Sequence, residues 1–492
     1  MTNLLFSTNE SNIKWEQKGS PSYLQDLNLN DVFNAILSGE QNFPINFLKH
    51  PCLHSEDAEY RLETMREIHG SNVLFENINE INSVLREMQS KCSNINNYTN
   101  DLQKAGCFLD LILKYDNAAG LIKSSINGAV SKSFSRLLSD LNLITSTTWY
   151  KIMLEAANHC KRVLNDCLNI NIVINSAKKS IIFEKPENTD NITLKLYANI
   201  QKCFNVSEAC DISLYSSVPI SPLEELILNK LVECYPKLFQ MMKNFHKDYL
   251  NFTNEINALI LLAPQFLFYT GYLRFIKNFG NFTMPVFSEG GFSAKNCRDI
   301  SLLLKNKPCI GNDVNMPFGS ISVLSGPNQG GKTTFLRSIG ATVHLAKCGC
   351  FVPCEKCELP FYDDIYTHFP PKDDSLNGRL KNEADKLNKH MPDFTSKSLL
   401  LFNECFSSTR RKDTLEILSH YIAKIRDIGC SALFITHCYE LSSIHNNIKA
   451  LTAGIDHGRN RTYIIKEEEN GGLAYARDIA IACGVTFEML IV

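Results

Sequence analysis

The sequence predicts an α/β domain in its C-terminal part, preceded by an all-α region. Two observations carry that expectation. A strand-like run at 321–325 leads through a glycine-rich loop, Gly326-Pro327-Asn328-Gln329-Gly330-Gly331-Lys332-Thr333, into a helix-like run at 334–345. Beyond residue 280, short apolar runs at 321–325, 398–402, 432–436 and 463–466 alternate with helical segments. That alternation predicts a mixed, largely parallel sheet with helices on its faces. Before residue 280 the apolar residues recur every three to four positions, the period of helices.

The loop is the most specific element. Its glycines let the backbone curl so that consecutive N–H groups point inward at phosphate oxygens. The helix that follows adds the positive end of its dipole. The Lys332 ammonium reaches terminal phosphates, and the Thr333 hydroxyl ligates Mg²⁺. This is the pattern of a P-loop NTPase, and it assigns Gly326, Pro327, Asn328, Gln329, Gly330, Gly331, Lys332, Thr333 and Thr334 to binding of ATP with Mg²⁺.

Two further strand ends complete the expected site. The run 398–402 ends in Asn403-Glu404. In such sites an acidic residue there faces the metal shell, and the next carboxylate orients water. Glu404 suits the role of base. Asn403 is neutral, so it would serve Mg²⁺ through a bound water and hold it less tightly than a carboxylate. The run 432–436 leads into His437, placed to sense the terminal phosphate or the attacking water.

Composition bounds the remaining possibilities. The chain has 492 residues, 44% hydrophobic and 21% charged, which is ordinary for globular domains. A net charge of −2 gives no global basic field to attract nucleic acid, so any such contact needs a local patch. The N-terminal ten residues do not read as a signal peptide, and no membrane span is expected. The 18 cysteines read as reduced thiols in a cytoplasmic protein. Cys348, Cys350, Cys354 and Cys357 lie within ten residues, close enough for metal, but they lack a second, separated pair. Core packing is the favoured reading.

In the helical region, segments are expected at 58–74, 78–88, 101–113, 133–143 and 148–168, with a loop at 185–191. A seam of Leu228, Leu231, Tyr235, Leu238, Met242, Phe245, Tyr249, Phe252, Ile256 and Leu259 predicts one long packed helix, kinked near Val232 by Pro236.

Several segments, taken in order, resemble the ATPase domain of MutS-type DNA mismatch repair proteins. The loop 326–334 matches that family's form, with Gln329 where the family has Met. Gly349-x-Phe351-Val352-Pro353, the stretch from Phe434 through His437 to Leu441, and the stretch from Gly472 to Val485 look like its later elements. Cys350 and Cys354 fall where the family carries small residues. Upstream, Pro51, Leu53, Asp57, Tyr60, Arg61, Met65 and Arg66 resemble the start of its helical core. The resemblance implies an ABC-type ATPase preceded by a core and lever domain, here divided as 1–288 and 289–492. It also implies a homodimer with composite sites, in which Ser375-Leu376-Asn377-Gly378 would face the partner's nucleotide. It implies DNA as a partner, mismatched or otherwise non-standard, in repair or recombination.

Departures from the family are as informative. The N-terminal mismatch-reading domain is expected to be absent, and Asn403 stands in place of aspartate. Arg410-Arg411-Lys412 follows the Ser407-Ser408-Thr409 loop and reads as a solvated run. No upstream aromatic offers itself to stack on adenine, since that neighbourhood holds Pro308-Cys309-Ile310. Two alternatives therefore stay open: a nucleotide-gated clamp with little turnover, and an ATPase that does not act on DNA.

Overall fold

The computed structural model of the protein describes residues 3–16, 20–98, 100–167, 171–175, 180–184, 228–229, 232–305, 307–370, 376–438, 440–444, 448–455 and 461–467. The described strands are β1 (Asn171–Asn175), β2 (Ser180–Glu184), β3 (Val286–Phe287), β4 (Gly291–Cys297), β5 (Asn312–Pro317), β6 (Ile321–Ser325), β7 (Lys356–Leu359), β8 (Asp364–His368), β9 (Ser398–Asn403), β10 (Ser431–Ile435), β11 (Ile448–Ile455) and β12 (Arg461–Glu467). The chain forms two compact units. One gathers residues 3–71, 131–133 and 267–492; the other gathers 1–2, 72–130 and 134–266. The division is not a single cut, because the N-terminal 3–71 segment clusters with the C-terminal unit.

The C-terminal unit is an α/β fold built on a six-stranded sheet in the order β12-β11-β6-β10-β9-β8. Strands β11, β6, β10, β9 and β8 run parallel, and β12 alone is antiparallel to its neighbour. Strands β6 and β10 are buried along their whole length, and β9 along all but Asn403. Strands covered on both faces need continuous apolar runs rather than alternation, and Leu399-Leu400-Leu401-Phe402 and Ala432-Leu433-Phe434-Ile435 supply them. Phe402 and Phe434 stack across adjacent strands with ring centroids 4.3 Å apart.

Gly280, Pro285, Gly290 and Gly291 give the region around 280–291 the composition of a linker, yet a second sheet, β3-β7-β4-β5, occupies part of it. Gly291 opens β4 with φ +120, and a Cβ there would lie 2.5 Å from the Met316 carbonyl oxygen, so only glycine fits.

Helix Lys332–Lys347 is buried around nearly its whole circumference. The N-terminal segment grips its far end. Cys52 N–H donates to the Lys347 carbonyl at 2.9 Å, and the Arg61 guanidinium donates to the Cys348 carbonyl at 3.1 Å. His344 bridges the Leu48 carbonyl at 2.7 Å and the Tyr23 hydroxyl at 3.1 Å. Burial lowers the His344 pKa to about 4, so it stays neutral. Nearer the loop, Arg337 donates to the Asp26 carbonyl at 2.9 Å.

The other unit is built on helices Asn72–Asn94, Asp101–Ser125, Lys132–Ser146, Thr148–Cys167, Pro236–Tyr249 and Thr253–Ile260. Its core includes Tyr115, which meets Phe252 edge-on at 4.8 Å, and Phe108, 6.1 Å from Phe245. Two expectations are corrected here. The region is not all-α, because β1 and β2 pair as an antiparallel hairpin. Ile172-Val173-Ile174 and Ile181-Ile182-Phe183 are the β-branched and aromatic runs that favour strands. Nor does Pro236 kink a helix from within. It begins one, at the first-turn position where its missing N–H costs nothing. The seam then breaks at a 3₁₀ turn, Leu250–Phe252, although Leu238, Met242, Phe245, Phe252, Ile256 and Leu259 are all buried. Leu231 and the 185–191 loop lie outside the described residues.

Among the described residues, one helical stretch, Pro236–Ile276, is long and apolar enough by length and composition to cross a membrane. Its apolar window is 78% buried inside the protein, which is how a core helix behaves. The cysteines whose side chains are described are free. Cys348, Cys350, Cys354 and Cys357 are all buried, and burial pushes the Cys348 and Cys350 thiols well up. Among the described residues, no group of His, Cys, Asp and Glu is placed to hold a metal.

Phe402→Ala removes one ring of the stacked pair that joins β9 to β10. It is expected to destabilise the protein by about 3–5 kcal/mol, read as a lowered denaturation midpoint.

Candidate functional site

The loop 326–331 leaves the carboxyl end of β6, the place where open α/β sheets bind ligands. Three backbone conformations shape it: Gly326 at φ +130, Gln329 at +61 and Gly331 at +91. Gly326 packs on β11, where an added Cβ would sit 2.9 Å from that of Ala453. Gly331 ends the loop as the helix N-cap, so the N–H groups of the first turn have no partner within the helix.

Lys332 is buried, and its ammonium folds back on the loop. It donates to the carbonyls of Gly326 at 2.9 Å and Pro327 at 3.0 Å. Burial lowers its pKa, and the Glu404 carboxylate, 4.0 Å away, opposes that shift. Thr333 donates its hydroxyl proton to the Asn403 amide oxygen at 3.0 Å. The loop after β6 and the end of β9 are thus joined by a direct contact, although β10 lies between those strands.

Glu404 adopts φ +50, a left-handed conformation that costs a non-glycine residue about 1–3 kcal/mol. Its N–H donates to the Ile435 carbonyl at 2.9 Å, which ties the turn to the end of β10. Its carboxylate also lies 3.6 Å from His437 Nε2. His437 does not line the main cavity. It lines a smaller one, of about 160 Å³, whose wall Glu404 shares.

The main cavity measures about 640 Å³, within the range of small-ligand sites. Asn328, Gln329, Gly331, Lys332, Thr333, Thr334 and Glu404 line it, as does a set the sequence reading did not assign: Leu302, Lys307, Pro308, Ile310, Asn312 and Tyr463. Tyr463 comes from β12 and, like Glu404, is left-handed, at φ +58. Asn312 holds it in place, donating to the Tyr463 carbonyl at 3.1 Å and accepting from the Ile465 N–H at 2.7 Å. Arg461, on the same strand, donates to the Gln329 side chain at 2.8 Å. The available signal was an aromatic inside a run already read as a strand, downstream of the loop rather than upstream.

The cavity therefore combines the N–H groups of a helix start, one buried ammonium, a hydroxyl and amide pair, a carboxylate and apolar walls. Ser375 lies outside the described residues. Leu376, Asn377 and Gly378 open helix Leu376–His390. The stretch from Gly472 to Val485 also lies outside the described residues. Arg411 pairs with Glu440 at 2.7 Å on the surface.

Residues 322–482 match the family model "MutS domain V". The segment that carries the site is thus similar to MutS domain V. The chain is similar to the DNA mismatch repair protein MutS of Thermotoga maritima, at 29% identity over 51% of this chain and 29% of that protein. Similarity to the MutS protein of Thermosipho melanesiensis is 27%, over 55% of this chain and 34% of that one. For Listeria monocytogenes it is 26%, over 54% and 31%. The chain thus spans about a third of the length of these MutS relatives. The matched domain runs from β6 through β12 and contains the loop, Asn403, Glu404, His437 and Tyr463.

Proposed function

We propose that the chain binds ATP with Mg²⁺ in the cavity around the 326–333 loop and hydrolyses it as a P-loop ATPase of the ABC and MutS type. We further propose that a second copy completes the site, and that nucleotide turnover is coupled to binding of mismatched or otherwise non-standard DNA. One observation supports this above the others. Lys332 and Thr333 from the end of the loop and Glu404 from the end of β9 line one cavity, and Asn403 accepts the Thr333 hydroxyl beside it.

Each group then has a task. The N–H groups of residues 328–333 cradle the β- and γ-phosphates. Lys332 exchanges its two carbonyl partners for phosphate oxygens, so its charge is spent on the ligand. Thr333 Oγ1 and Asn403 Oδ1 are hard oxygen donors 3.0 Å apart, and they suit Mg²⁺, Asn403 through a bound water. Bound there, Mg²⁺ supplies neutralisation of phosphate charge. Glu404 orients water and takes its proton, with Lys332 and His437 beside it. His437, in the smaller cavity, acts on the γ-phosphate side of the site through Glu404, which borders both cavities. Leu302, Pro308, Ile310 and Tyr463 offer apolar walls and one ring for the base.

A second reading rests on Asn403. Without a carboxylate in the metal shell, the protein would act as a nucleotide-gated clamp with little turnover. Lys332→Ala and Glu404→Gln separate the two in paired binding and hydrolysis assays. Hydrolysis predicts that Glu404→Gln lowers kcat by about 100-fold or more while ATP affinity holds, and that Lys332→Ala lowers affinity about tenfold or more. A clamp predicts ATP binding by the unmodified protein and no turnover for Glu404→Gln to remove.

Asn403→Asp restores a charged oxygen donor. It is expected to lower the Mg²⁺ concentration needed for half-maximal nucleotide binding by about tenfold, since hard cations favour charged oxygen. If DNA is the partner, its affinity falls linearly on logarithmic axes as salt rises, because phosphate contacts release counterions. No binding to duplex, mismatched or branched DNA at low salt would remove the DNA reading and leave an ATPase.

A further inference from the structure

The turn that carries Glu404 is held by a buried carboxyl outside the nucleotide cavity. Glu383 stands in the middle of helix Leu376–His390 and is 3% exposed. Its Oε2 accepts the backbone N–H of Phe406 at 2.6 Å. Phe406 is itself left-handed, at φ +57, two residues after Glu404 at +50. Two non-glycine residues in that conformation within three positions need their surroundings to hold them. The remaining contacts close around the same turn. Thr414 donates its hydroxyl proton to the Phe406 carbonyl at 2.9 Å. The Cys405 thiol donates to the His368 carbonyl at 3.4 Å. The Phe406 ring lies parallel to that of Tyr421 at 5.7 Å. His368 Nε2 is 3.8 Å from Glu383 Oε2, and both side chains are buried.

A buried carboxyl that accepts a backbone N–H makes a short, directional bond, and no neutral hydroxyl substitutes fully for it. The N–H it captures belongs to a residue whose ring is already fixed in the core, so the turn has little freedom between Phe406 and the end of β9. Glu404 lies in that interval, with its side chain facing Lys332 and His437.

We propose that Glu383 is a positioning residue for hydrolysis, whose buried carboxyl fixes the 404–406 turn and through it the reach of the Glu404 carboxylate into the nucleotide cavity. The inference rests on the ATPase reading and deepens it. Glu383 does not line the nucleotide cavity. Its loss should therefore leave ATP binding in place and slow the chemical step. A merely structural role would weaken both.

The test uses the full chain. Glu383→Met keeps the volume and removes the acceptor; Glu383→Gln keeps an acceptor oxygen in place of the carboxyl. Both are compared with unmodified protein for ATP·Mg²⁺ affinity and for single-turnover hydrolysis. For Glu383→Met the expected result is hydrolysis slowed by about 30-fold or more, with the dissociation constant within about threefold. Glu383→Gln is expected to recover hydrolysis to within about fivefold. A folded Glu383→Met protein that hydrolyses at the normal rate overturns the inference, and so does one that loses binding and hydrolysis together. If Glu383→Met does not fold, amide exchange in the unmodified protein decides. Phe406 N–H should be protected to the same degree as the amides of β9, and fast exchange there overturns the inference. Unmodified protein that binds no ATP would instead overturn the reading of the cavity, a different result from any of these.

Discussion

The burial of one helix governs the geometry of the site. Helix Lys332–Lys347 is enclosed by the main sheet and by the N-terminal segment, and its far end is pinned by Cys52, Arg61 and Leu48. A helix held this way cannot tilt or slide without opening the core. Its first turn is therefore a fixed platform at the carboxyl end of β6, and the glycine loop has to close onto it. Two of the helix's buried polar groups have found backbone partners: His344 on Leu48, Lys347 on the carbonyls of Tyr362 and Asp363. Buried polar groups persist when they are satisfied in this manner.

From that platform the site is assembled with locally unfavourable backbone. Gln329, Glu404 and Tyr463 are non-glycine residues with positive φ, and all three line the same cavity. Each is held by something specific: Arg461 on the Gln329 side chain, the end of β10 on Glu404, and Asn312 on Tyr463. Strain gathered at one place and restrained from several sides is the usual mark of a preorganised site. Apart from the Lys332 ammonium, which has to leave two loop carbonyls, the groups that would meet a triphosphate are held beforehand, so binding is left with that one exchange.

The parts of this arrangement that were legible in the sequence are local ones. The loop, the two strands that end at Asn403 and at Ile435, and the helix after Gly331 each have a signature within about ten residues, either a glycine pattern or an uninterrupted apolar run. The four-stranded sheet was hidden because β5 carries Asn312 and Asn315 among its residues, and because the glycines and Pro285 around β3 and β4 read as linker. The β1–β2 hairpin was passed over although its β-branched runs are plain, since the helical period on either side dominated. The Pro236 signal was ambiguous, because proline both breaks helices and starts them. Tyr463, Asn312 and the N-terminal clasp are products of tertiary contact. Nothing near Tyr463 in the chain announces that it meets Gly331, and nothing near Arg61 announces that it reaches Cys348.

The central claim is that the 326–333 loop surrounds the phosphates of ATP. It is tested most directly by an experimental structure of the full chain with Mg²⁺ and a non-hydrolysable ATP analogue. The predicted result is a triphosphate ringed by the N–H groups of Asn328 through Thr333, with the Lys332 ammonium moved from the Gly326 and Pro327 carbonyls onto phosphate oxygen. A nucleotide bound elsewhere, or a loop left unchanged with Lys332 still on those carbonyls at saturating analogue, would contradict it.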